Sequence, residues 1–108
     1  MILRGFKFLD ETDTTGVSNA LNCTGANQLT ITVEATAGAT IDLSVMGRVD
    51  MESDEWHTMG AIPMTDYTPI ESIDDVGAYI FIVSGINQIK ILNNGTAGNC
   101  VVFGTLSD

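Results

Sequence analysis

Basic side chains are scarce in this chain: Arg4, Lys7, Arg48 and Lys90 stand against fourteen aspartates and glutamates, and the formal net charge is −10. So acidic a surface repels nucleic acid and anionic membranes, and neither is expected as a partner. It favours solubility and leaves cations or a basic partner as charge-matched candidates. His57 is the only histidine, and the two cysteines form no CxxC pair, so no zinc site is expected. No apolar run approaches a membrane-spanning length, and the longest, Ala78 to Val83, is strand-sized. "MILRGFKFLDE" has no sustained apolar core of the kind a secretion signal needs. Cytosolic synthesis is therefore expected, with Cys23 and Cys100 as free, buried thiols. Lys, Arg and Gln are sparse, which disfavours long surface helices.

What is abundant suits strands joined by turns: Thr, Gly, Ile, Val and Asn. At 108 residues the chain is expected to be one domain, residues 1–108, with a core that needs no staple. Strands are predicted at Ile2 to Leu9, Val17 to Cys23, Gln28 to Ala35 and Ile41 to Met51. Four more are predicted at Trp56 to Ile62, Ala78 to Val83, Gln88 to Leu92 and Cys100 to Leu106. Leu29, Ile31 and Val33 alternate with Thr30, Thr32 and Glu34, one face apolar and one wet. On the next strand Ile41, Leu43, Val45, Val49 and Met51 are read as inward. The Pro63 to Gly77 stretch is expected as a loop or edge segment. The fold class that follows is all-β: an antiparallel β-sandwich of about eight strands, jelly-roll-like or a related Greek key.

The chain also repeats itself. "TGANQLTITVEATAGATI" from Thr24 and "SGINQIKILNNGTAGNCV" from Ser84 align without a gap. Six of the fifteen pairs from Asn27 onward are identical. Gly25 and Gly85, and then Gly38 and Gly98, suit backbone of positive φ. Two similar hairpin halves are therefore expected. The copies differ, because Ile80, Ile82, Leu92 and Val102 fall on a face expected to be wet. Phe81, Val83, Ile89, Ile91 and Phe103 are assigned to the other side. Strands apolar on both sides are usually covered on both. The four residues Ile80, Ile82, Leu92 and Val102 are thus the candidate oligomer interface, unless the Pro63 to Gly77 segment covers them.

Tests for chemistry find little. Asp50, Glu52, Asp54 and Glu55 cluster, but an EF-hand starting at Asp50 would need Gly and Glu where Glu55 and Ala61 stand. No GxSxG or phosphate-binding GxxxxGK[ST] occurs, and nothing sets a serine against His57. No catalytic residue, metal or cofactor is expected, and the chain is read as a non-enzyme. Trp56, Tyr67 and Tyr79 are candidate glycan-stacking residues in an alternative reading as a carbohydrate-binding module, though Trp56 is more simply a core plug.

Two stretches carry a resemblance. "TIDLSVMGRVDMESDEWHTMGAI" from Thr40 has a strand ending in Gly, an acidic turn, then Trp. "GAYIFIVSGINQIKILNNGTAGNCVVFG" from Gly77 has an SG turn, an N-x-I-K-I strand and a Gly turn into a last strand. This combination resembles the small β-sandwich structural proteins of tailed bacteriophages: head decoration proteins, head-fibre bases and tail-associated modules. The usual Asp-Gly before Trp is here Ser53-Asp54-Glu55. The resemblance implies a virion protein made in the host cytoplasm that binds the major capsid protein or another virion protein. It also implies a homo-oligomer, with a trimer favoured, and contact with the shell through Met1 to Asp10 or the Pro63 to Gly77 segment.

Overall fold

The computed structural model describes residues 2–13, 16–17, 20–50, 52–95 and 98–108. Met51, read above as inward, and Thr96 and Ala97 of the second copy lie outside the described residues.

Ten strands form, and no helix occurs among the described residues: β1 Ile2–Asp13, β2 Gly16–Val17, β3 Leu21–Asn22, β4 Gln28–Ala35, β5 Leu43–Arg48, β6 His57–Thr58, β7 Ile62–Pro63, β8 Gly77–Ile82, β9 Gln88–Asn93 and β10 Asn99–Ser107. They pair antiparallel into two sheets. The first sheet runs β1-β10-β4-β8-β7, and the second runs β2-β9-β5-β6 with β3 also on β9. The all-β sandwich is as the composition and alternation require. The core lies between the sheets: Leu29, Ile31, Val33, Phe81, Val102 and Leu106 from the first meet Leu43, Val45, Ile89 and Ile91 from the second. Each is at most 2% exposed, so every one contributes about 1.5–3 kcal/mol of apolar burial.

The two halves are related as the repeat predicts, but neither is a hairpin. β4 does not pair with β5; it lies between β10 and β8. β9 does not pair with β10; it lies beside β5, β2 and β3. The TAG-centred turn of the first copy therefore carries the chain from the first sheet to the second, and β10 lies in the first sheet although β9 lies in the second. The middle strand of each copy is flanked by outer strands of the other copy, so the halves interlock. Gly25, Gly38, Gly85 and Gly98 all have positive φ, between 74° and 90°. The turns also meet across the molecule. Thr36 N–H donates to the carbonyl of Asn99, and Asn99 N–H returns to the Thr36 hydroxyl.

Several elements differ from the sequence-based expectation. The strand expected over Trp56 to Ile62 is two short pieces in different sheets. The one expected over Val17 to Cys23 is likewise two pieces, both on β9. Val49, expected inward, is 70% exposed, because β5 ends at Arg48 and the alternation ends with it. The Pro63 to Gly77 segment does not cover an outer face. It adds an isolated bridge to Leu43 and puts Ile73 into the core at 1% exposure, closing the β5 edge that two-residue β6 leaves open.

Candidate functional site

The four residues proposed as an interface do not share one surface. Val102 is fully buried, and Phe103 takes the outward place at 41% exposure. The reason is parity on β10: Cys100, Val102, Gly104 and Leu106 alternate inward, leaving Val101, Phe103, Thr105 and Ser107 outside. Leu92 lies on the outer face of the second sheet, beside Ser44 of β5. Ile80 and Ile82 remain together on the outer face of the first sheet.

That face is unusual for this chain. In register across it run Phe103, Thr32 and Ala78, then Thr105, Thr30, Ile80 and Ile62, then Ser107, Gln28 and Ile82. Ile82 is 59% exposed. Across β10, β4, β8 and β7 the only charged side chain on this outer face is Glu34, although the chain has fourteen acids. Away from Glu34, the part of the face on these four strands can thus be dehydrated without burying charge.

The outer face of the second sheet carries the other distinctive group. Alternation points Ser44, Met46 and Arg48 of β5 outward, beside Leu92, Lys90 and Gln88 of β9. Trp56 precedes β6 and reaches back over this face. The Arg48 guanidinium lies 4.5 Å and the Lys90 ammonium 4.2 Å from the indole centroid. Such contacts contribute about 0.5–1 kcal/mol each at exposed sites. Arg48 is also fixed by neutral acceptors: Nε donates to Gln88 Oε1 at 2.8 Å, Nη2 to the same oxygen, and Nη1 to the Ser53 carbonyl at 2.8 Å. The linear order of the chain does not bring Arg48, Trp56 and Lys90 together; only the β6-β5-β9 order does.

The aromatic trio does not form a sugar platform. Trp56 is neither a core plug nor an open ring, being occupied by two cations. Tyr79 is 5% exposed, and its hydroxyl donates to the Asp75 carbonyl at 2.8 Å. Burial first, then the charges of Asp75 and Asp74, push that phenol above its usual range. Tyr67 stands alone in the β7–β8 segment, 62% exposed.

Cys23 and Cys100 are both buried and unbridged. Cys23 Sγ donates to the Ile86 carbonyl at 3.3 Å, and burial pushes the Cys100 thiol up. His57 is exposed, with Nε2 3.9 Å from the Glu55 carboxylate. Among the described residues no three His, Cys, Asp or Glu side chains gather as a metal site would require.

No protein-family model and no curated protein matches the chain. Solved structures do share its fold. The crystal structure of the SPBc2 prophage-derived protein YomS reaches a TM-score of 0.84 at 14% identity, covering 95% of this chain and 90% of that one. The PBSX exported protein XepA also reaches 0.84, at 23% identity, with 95% of this chain spanning 37% of XepA. The chain is therefore similar in fold to a prophage-derived protein of nearly its own length and to part of a longer exported one.

Proposed function

We propose that the chain is a non-enzymatic structural protein of a tailed-phage virion, most specifically a capsid decoration protein on the outside of the head shell. The observation that carries this reading is the outer face of the first sheet. A chain of net charge −10 keeps one broad β-surface almost free of charge, with Phe103, Ile80, Ile62 and Ile82 spaced among threonines. Exposed apolar surface rimmed by polar residues marks a docking site. The fold shared with prophage-derived YomS supports a phage setting. In this reading Ile80, Ile82 and Phe103 contact the major capsid protein or a neighbouring copy in a homo-oligomer, and the acidic remainder keeps the particle soluble.

A second reading, a tail, neck or fibre-base module, draws support from XepA, where the same sandwich accounts for 37% of a longer chain. Mass spectrometry of gradient-purified particles of the encoding phage, with heads and tails separated, distinguishes the two. Decoration requires the chain in the head fraction in many copies. Its presence only in tails moves the role, and its absence from particles removes both.

A further inference from the structure

Among the described residues Arg48 and Lys90 have no carboxylate partner, although four acids lie in the turn that follows Arg48. That turn holds Arg48 through the backbone carbonyl of Ser53 rather than through a side chain. Asp50 accepts from Glu52 N–H, and Glu55 lies against His57. Two like charges on diagonal positions of one sheet face are thus both held against one indole, and Gln88 Oε1 clamps Arg48 in place by accepting two of its N–H groups. Three of the five Arg48 N–H donors are used, which leaves two, and the ammonium of Lys90 offers three more. A fixed guanidinium beside an ammonium, both short of a counter-charge, is arranged for an oxyanion.

We propose that Arg48, Lys90 and Trp56 form a binding site for a carboxylate side chain presented by a partner protein. The site lies on an open sheet face, where water screens a free anion and weakens its hold. The anion must therefore arrive on a surface that also excludes water. A neighbouring copy in the reading above docks through the outer face of the first sheet, so the carboxylate on this face of the second sheet comes from a different protein. The cation pair then sets register: a partner attracted by the acidic surface places one acidic residue here, and a wrong alignment leaves two cations buried and unpaired. This rests on reading the chain as one that works by docking, but its test needs no partner.

Trp56 is the only tryptophan, so its fluorescence reports on this site alone. Iodide is an anion that quenches indole by contact. Iodide quenching of the wild type should exceed that of Arg48→Gln and Lys90→Gln by about two-fold at low ionic strength, because the cations concentrate the anion locally. Neutral acrylamide should quench all three alike, which controls for altered exposure. N-acetylglutamate amide should protect against iodide better than chloride of equal ionic strength. Equal iodide quenching in all three proteins overturns the site, and equal protection by chloride overturns the preference for carboxylate. Sedimentation of the same variants checks the occupant. A wild-type oligomer that dissociates in both variants assigns the site to a second copy and overturns the partner assignment. An unchanged mass supports it.

Discussion

The backbone N–H of Cys23 donates to the carbonyl of Asn87 at 2.9 Å. Sixty positions on, the same bond recurs with the copies exchanged, from Val83 to Asn27 at 3.0 Å. The side chains repeat the exchange: the Asn87 amide donates to the Thr24 hydroxyl, and the Ser84 hydroxyl donates to Asn27 Oδ1. What repeats in the sequence is therefore a reciprocal clasp between the two copies, in which each backbone bond extends a strand pairing within one sheet, β3 with β9 and β4 with β8. Asn27 and Asn87 hold each other's turns, which explains why the identities concentrate there and in the glycines. They are residues of architecture, and differences between the copies, such as Thr30 against Lys90 and Thr32 against Leu92, lie on the outer faces of the sheets.

The clasp predicts unequal glycines. Gly38 and Gly98 are equivalent, with φ of 80° and 74°, yet a Cβ on Gly38 meets nothing, while one on Gly98 falls 2.6 Å from Ala39. Gly38→Ala should cost about 1–2 kcal/mol from the left-handed backbone alone. Gly98→Ala should cost distinctly more, because backbone of the opposing turn must move. Urea denaturation of the two variants checks the order.

Val102 and Ile82 separate core from surface. Val102→Asp places an unpaired carboxylate between the sheets and should leave no cooperative unfolding transition. Ile82→Asp adds its charge on an exposed face and should change the melting temperature little. Circular dichroism melts read both outcomes.

Much of this was legible beforehand, and what was not has a physical reason. β4 was read with its observed bounds because Leu29, Ile31 and Val33 alternate against polar neighbours. β8, β9 and β10 came within a residue or so. Parity fails on β10, where Val102 is expected outside and Phe103 inside and the structure has the reverse. The signal for the true parity was present in Thr105 and Ser107 flanking Leu106. Pairing was not legible, because a Gly turn that closes a hairpin and one that crosses between sheets use the same positive φ. The site at Trp56 was hidden for the same reason: it depends on β9 lying next to β5, which local pattern does not encode.

Tyr79 makes stability fall at high pH. Its folded phenol titrates above the ordinary value near 10, so the neutral form is favoured in the fold. Its contribution is complete below about pH 10 and is lost as pH rises through the folded value. Tyr79→Phe should cost about 1 kcal/mol at neutral pH by losing the bond to the Asp75 carbonyl. It should also flatten the alkaline decline in denaturant midpoints.

The thiols should be silent in the native protein. Cys23 and Cys100 are 1% and 5% exposed, and burial holds Cys100 in its protonated form. A disulfide-exchange reagent at neutral pH should label neither until denaturant is added, after which both should react.

The central claim is that the chain works by docking the charge-poor outer face of its first sheet. The most direct measurement is co-sedimentation of purified protein with heads of the encoding phage assembled without it, comparing wild type, Ile82→Asp and the Phe103→Asp, Ile82→Asp pair. The wild type should pellet with heads at saturable stoichiometry, Ile82→Asp should bind at least about ten-fold more weakly, and the pair should not bind, since a charge desolvated without a partner costs more than the contact provides. Folded variants that pellet as well as the wild type would contradict the account.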